Sequence, residues 1–142
     1  MLLEIRTYHL QITSIFFSFY YYYYITNINK NIHEIILGSF LLPNNIILSV
    51  FFWNNPIKNS LIHKLDSIFA KITIYYCSTY YIFFKECTFY SKLEYILLFI
   101  LLVYFAKKSH YYSTIEWCSK NHLSSHILIH FVMICGTLLA FM

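Results

Sequence analysis

The chain has 142 residues, of which 59% are hydrophobic and 11% charged, against about 25% charged in an ordinary soluble domain. That composition cannot cover a surface facing only water, so most of the chain meets lipid and a soluble globular enzyme is excluded. The net charge of +4 is spread over several loops. No basic block of the kind that grips a phosphate backbone is present, so nucleic acid is not an expected partner and the lipid bilayer is.

Two Gly and two Pro are too few for a turn-rich β architecture. The apolar residues come in long runs without period-2 alternation, which points to helices over a barrel. The expected fold class is therefore all-α, a multi-pass transmembrane helical bundle in a single domain. Heavy use of Ile, Asn, Lys, Phe and Tyr, with an unbroken run from Tyr20 to Tyr24, reads as the codon bias of an AT-rich genome, such as protists and large DNA viruses carry.

A bilayer core about 30 Å thick takes roughly 17 to 25 mostly apolar helical residues, and five segments meet that need: roughly 10–28, 35–53, 65–84, 89–106 and 124–142. The first begins after Glu4 and Arg6 and lacks a small-residue cleavage site, which reads as a retained anchor. Its tyrosine-rich second half suits the membrane interface, so four spans are the alternative to five. The second span holds Pro43, Asn44 and Asn45 near its middle, which predicts a break or kink. Cys77 and Cys135 fall inside spans, while Cys87 and Cys118 fall in loops on opposite sides, so no disulfide framework is expected.

Five spans put the N-terminus and the loops at 54–64 and 107–121 on one side, with Arg6, Lys58, Lys64, Lys107, Lys108 and Lys120. The other side has Lys30, Lys85 and Lys92. The positive-inside rule then makes the first side cytosolic and the C-terminus lumenal or external. Even without the first span, the two loops share a side because two spans separate them.

Two constellations carry chemistry. In the third span Asp66 follows His63 by three residues, one helical turn, and the two share a face. Lys71 lies deeper in the same span, where a lone charge costs about 2.5–3.5 kcal/mol. Asp66 is either a buried ligand or proton carrier, or an interfacial residue near a helix N-terminus with Lys71 as local partner. The second constellation is His122, His126 and His130, at i, i+4 and i+8, one stripe running from the loop into the last span. A His pair at i, i+4 is a helical spacing that zinc sites use, with further ligands from another element. Asp66 and His63 enter from the same membrane face and are the candidates to complete it. Glu34, Ser39, Ser49, Glu94 and Tyr95 read as interfacial or interhelical hydrogen-bonding groups.

At these residues the chain resembles the superfamily of membrane metal-dependent hydrolases that includes alkaline ceramidases, adiponectin-type receptors and hemolysin III-related proteins. The resemblance rests on Ser49, on Asp66 in His63-Lys64-Leu65-Asp66, and on His126 and His130 in Ser125-His126-Ile127-Leu128-Ile129-His130. It implies zinc as cofactor, His126 and His130 as metal ligands, and Asp66 handling a proton in hydrolysis of a lipid amide; His63 or His122 is the candidate to stand in for the remaining metal ligand. Trp53 stands where that pattern has a histidine four residues after the serine, and the relatives have seven spans. The texture of the chain also resembles the short multi-pass proteins of giant DNA viruses. Three functional classes follow: a structural or membrane-remodelling protein, a zinc hydrolase or a degenerate relative of one, and a small channel or transporter component built around Pro43, Asp66 and Lys71.

Overall fold

A computed structural model describes Leu10, Ile12, Thr13 and residues 31–141. Four long helices occupy nearly all of 31–141, and no strand occurs among the described residues. We label them α1 (Ile32–Asn54), α2 (Leu61–Thr79, continued by a π-helical stretch, Tyr80–Phe84), α3 (Phe89–Ile115) and α4 (Lys120–Phe141).

Each helix starts where a short polar side chain takes up a backbone N–H left unpaired at a helix beginning. Asn31, Ser60, Thr88 and Ser119 accept from the N–H groups of Glu34, His63, Ser91 and His122 respectively. Between these starts the chain is almost uniformly apolar, so propagation is favoured until a loop intervenes.

Among the described residues, three helices are long and apolar enough to cross a membrane: α1, α3 and α4. That is fewer than the five spans the sequence led us to expect. The first expected span, 10–28, lies outside the described residues apart from Leu10, Ile12 and Thr13. The third became α2, which has the length but carries Lys64, Asp66 and Lys71 together with Thr73, Tyr75 and Tyr76, all of which lower its hydropathy. It still runs the length of the bundle. Its first turn lies beside the 116–119 loop, and beyond its end Lys85 Nζ donates to the carbonyls of Leu139 and Ala140 at 3.1 and 2.8 Å. Lys85 thus serves acceptors left over in the last turn of α4.

The break or kink expected at Pro43 is met by a change of helix type and not by an interruption: α1 continues through the proline. Proline has no N–H and its ring clashes with the carbonyl four residues back. The helix widens to π-helical spacing over Leu37–Leu41, just upstream of the proline, with the Leu42 N–H bonding to Leu37 O. Asn44 Nδ2 donates to Phe40 O at 2.7 Å, so a side chain helps satisfy the disturbed turn.

The helices pack α1 on α2 and α3 on α4, with α4 also reaching α2. Two clusters hold the ends together. At the end away from the loops, Leu37, Leu41, Tyr80, Tyr81, Tyr95 and Ala140 are buried together, with Tyr81 stacked on Tyr95 at 4.4 Å between ring centroids. At the loop end, Leu10, Phe52, Trp53, Cys118 and Leu123 form the second cluster. The two loops touch there: Trp117 Nε1 donates to Pro56 O at 2.8 Å and Lys58 Nζ to Ser113 O at 2.8 Å. All four cysteines are free thiols.

Candidate ligand-binding site

Between the two clusters the helices separate and leave a cavity of about 550 Å³. Near the far end α2 and α3 are tied by Tyr95, whose hydroxyl lies 3.3 Å from Ser78 Oγ and 3.5 Å from Cys77 Sγ. The lining reaches from Lys58 and Asn59 at the loop end to Leu42 and Met133. Along α4, His122 to Met133 is about 16 Å at 1.5 Å per residue, roughly half a bilayer core. The exposed lining residues Lys71, Ala106, His110 and Thr114 belong to α2 and α3, so the cavity also opens sideways between those helices.

Every candidate that the sequence singled out lies on this wall: Asp66, His63, His122, His126 and His130, with Ser49 and Trp53 beside them. The stripe on α4 is continuous, with ring centroids 6.0 Å apart for His122 and His126 and 5.2 Å for His126 and His130. His126 meets the edge of Trp53 at 4.8 Å, so the tryptophan at the histidine position of the resemblance packs against the pair it would have complemented.

Hydrogen bonds fix what several of these rings can offer. His63 Nδ1 accepts the backbone N–H of Asn59 at 3.0 Å, and His122 Nδ1 accepts that of Cys118 at 3.2 Å. A neutral imidazole that accepts at Nδ1 carries its proton at Nε2. His63 and His122 therefore present N–H donors, not metal-ligating lone pairs. His130 is the reverse: the Thr13 hydroxyl donates to Leu10 O at 3.0 Å and so accepts from His130 Nδ1, also at 3.0 Å. His126 Nδ1 lies 3.3 Å from Ser109 Oγ. Among the described residues, no three His, Cys, Asp or Glu side chains come together closely enough to hold a metal ion. As arranged here, the two rings sought to complete a zinc centre, His63 and His122, carry a proton at Nε2 and no free lone pair.

Asp66 is partly buried, lines the cavity, and has no hydrogen bond or ion pair among the described residues. Lys71, its expected local partner, is exposed and forms no ion pair with it. Two further polar atoms on this wall are buried without a partner, Asn45 Oδ1 and Trp53 Nε1. The amide nitrogen of Asn45 is engaged with Thr73 Oγ1. A buried polar group left unpaired costs about 1–3 kcal/mol, so three such groups on one cavity wall are a concentrated expense in a chain this short of polar residues.

No protein-family model, curated protein or solved structure matches the chain.

Sequence reasoning missed Asn45, Lys58, Ser109 and Trp117 as parts of this site. One signal was available for the loops. Ser60-Leu61-Ile62-His63 and Ser119-Lys120-Asn121-His122 share the Ser-x-x-His spacing of a helix start in which the third helical residue reaches back to the preceding backbone, as Glu or Gln does in a capping box.

Proposed function

We propose that this chain is an integral membrane protein that binds an amphiphilic ligand in the cavity between its helices. The polar part lies against Asp66 and the histidines, and the apolar part along Ile46, Ile74 and Ile129. One observation carries this reading: a cavity of about 550 Å³, within the range of small-molecule sites, gathers unpartnered Asp66, Asn45 and Trp53 groups at membrane depth. A chain that only packed helices gains nothing from desolvating these groups around a void. The lateral opening between α2 and α3 gives a lipid-like molecule access from the bilayer. By the distribution of lysines, the loop end of the cavity faces the cytosol.

Mass spectrometry of the detergent-purified protein tests the reading. The wild-type chain is expected to retain close to one amphiphile per molecule, and Ala70→Trp, which fills the cavity from α2, is expected to lose it while keeping a cooperative melt. Equal lipid content in both proteins would contradict a cavity ligand.

A zinc hydrolase is the second reading, favoured by the placement of Ser49, Asp66, His126 and His130 on one cavity. Elemental analysis separates the two. The donor tautomers of His63 and His122 lead us to expect far less than one zinc per chain. Stoichiometric zinc in the wild type that disappears in the His126→Ala, His130→Ala double variant would restore the hydrolase. A pore has less support, because the Leu37, Leu41 and Tyr81 cluster closes the cavity at its far end.

A further inference from the structure

Helices α2 and α4 begin with the same turn, built twice. Asn59 and Cys118 both take left-handed backbone conformations, with φ of 65° and 59°. The next residue, Ser60 or Ser119, bonds through its N–H to the carbonyl three residues back, Ile57 or Glu116. Its hydroxyl then accepts from the N–H of His63 or His122. Each histidine turns back so that Nδ1 accepts the N–H of the left-handed residue. Asparagine adopts that conformation readily, whereas cysteine gains nothing intrinsic from it. A turn made twice to hold a ring one way, and at Cys118 in a conformation that its side chain does not favour, is an observation that points to the ring's other edge.

Both rings pack on Trp117, with centroids 5.1 Å away for His63 and 4.8 Å for His122, and Lys58 Nζ lies 5.4 Å from the centre of the same indole. Neither Nε2–H has an acceptor among the described residues, although His122 is only 3% exposed. Trp53, with no exposure at all, adds a third unpartnered N–H, its ring 6.3 Å from that of His122. The loop end of the cavity is thus rich in donors and holds one ammonium. The ammonium of Lys58 gives one of its three N–H bonds to Ser113 O; Asp66 lies one helical turn beyond His63, where it opposes deeper entry of an anion and suits a ligand group that donates a hydrogen bond.

We infer that the loop end of the cavity is an oxyanion subsite: Lys58, His63 Nε2–H and His122 Nε2–H hold the phosphate or carboxylate headgroup of the bound amphiphile. This rests on the cavity-ligand reading above and names the ligand's chemical class. An oxyanion brings several acceptor lone pairs on one group, and bonds to a charged acceptor are roughly twice as strong as neutral ones.

Trp53 and Trp117 are the two tryptophans of the chain and both line the cavity, so intrinsic fluorescence reports binding directly. The detergent-solubilised full chain is titrated with dodecyl phosphate, inorganic phosphate and dodecyltrimethylammonium. We expect saturable change with dodecyl phosphate and at least about tenfold weaker binding in Lys58→Met and in His122→Phe. His122→Phe keeps the ring on Trp117 but removes the donor; Lys58→Met leaves both helix caps intact and carries the test if the first variant does not fold. A response to inorganic phosphate as strong as to dodecyl phosphate supports the subsite and identifies a free oxyanion as its source, whereas a response to the alkyl phosphate alone identifies a lipid headgroup. Equal binding of the ammonium amphiphile, with Lys58→Met and His122→Phe unchanged, overturns the subsite and leaves the cavity reading standing. Silence towards every amphiphile overturns both.

Discussion

Trp117→Ala is expected to destabilise the protein by about 3–5 kcal/mol, the range for truncating a large aromatic among packed neighbours. The indole does four things at the loop end. It bonds Pro56 O, it packs against the tilted rings of His63 and His122, it meets Phe52 with ring centroids 6.2 Å apart, and it lies under the Lys58 ammonium. Alanine removes all of these, and with them the tie between the two loops. Trp117→Phe restores most of the ring contact but not the bond to Pro56, so a loss of about 0.5–1.5 kcal/mol is expected. Denaturant unfolding in a fixed detergent measures both. A Trp117→Ala variant as stable as the wild type would show that the loops dock by some other means.

Asp66→Leu is expected to act in the opposite direction on stability. The carboxyl has no partner among the described residues and sits on the cavity wall. Replacing an unpaired polar group in a partly desolvated place by an apolar one of similar size removes a cost of about 1–3 kcal/mol. The same change removes an acceptor from the cavity, so ligand retention should fall as the melting temperature rises. Gain of stability with loss of binding is the signature of a residue kept for function at the expense of the fold. Loss of both would mean that Asp66 supports the structure through a contact the described residues do not include. Asp66→Asn, which keeps an acceptor, is expected to retain part of the ligand.

Much of this architecture was legible before any coordinates. Long apolar runs predict helices, and the Ser60 and Thr88 starts are visible as polar residues ahead of those runs. The proximity of Asp66 to the histidine stripe followed from counting spans between the two lysine-bearing loops. Three matters were not legible. The π-helical relief upstream of Pro43 depends on how the turn from Leu37 to Leu41 redistributes its bonds, which no residue there announces. The low apolar content of α2 was visible, but the expectation of five equivalent spans gave it too little weight. The third is the orientation of His63 and His122: spacing states which face rings share, whereas the tautomer of each of these two rings depends on a backbone N–H four residues earlier, at Asn59 and at Cys118. Trp117 was missed because its partners lie on four different segments: α1, the loop after it, α2 and α4.

A cavity that solutes can reach is the central claim, and cysteine accessibility tests this most directly. In a chain with Cys87 and Cys135 changed to Ser, the remaining native thiols are the buried Cys77 and Cys118, and burial pushes the Cys118 thiol up and keeps it unreactive. Ser67→Cys lines the cavity, while Ile100→Cys lies on the outer, lipid-facing side of α3, where the native residue is 57% exposed. In proteoliposomes, a membrane-impermeant thiol reagent applied from the loop side is expected to label Ser67→Cys, to spare Ile100→Cys, and to be slowed by dodecyl phosphate. Labelling of Ser67→Cys no faster than that of Ile100→Cys would contradict an open cavity.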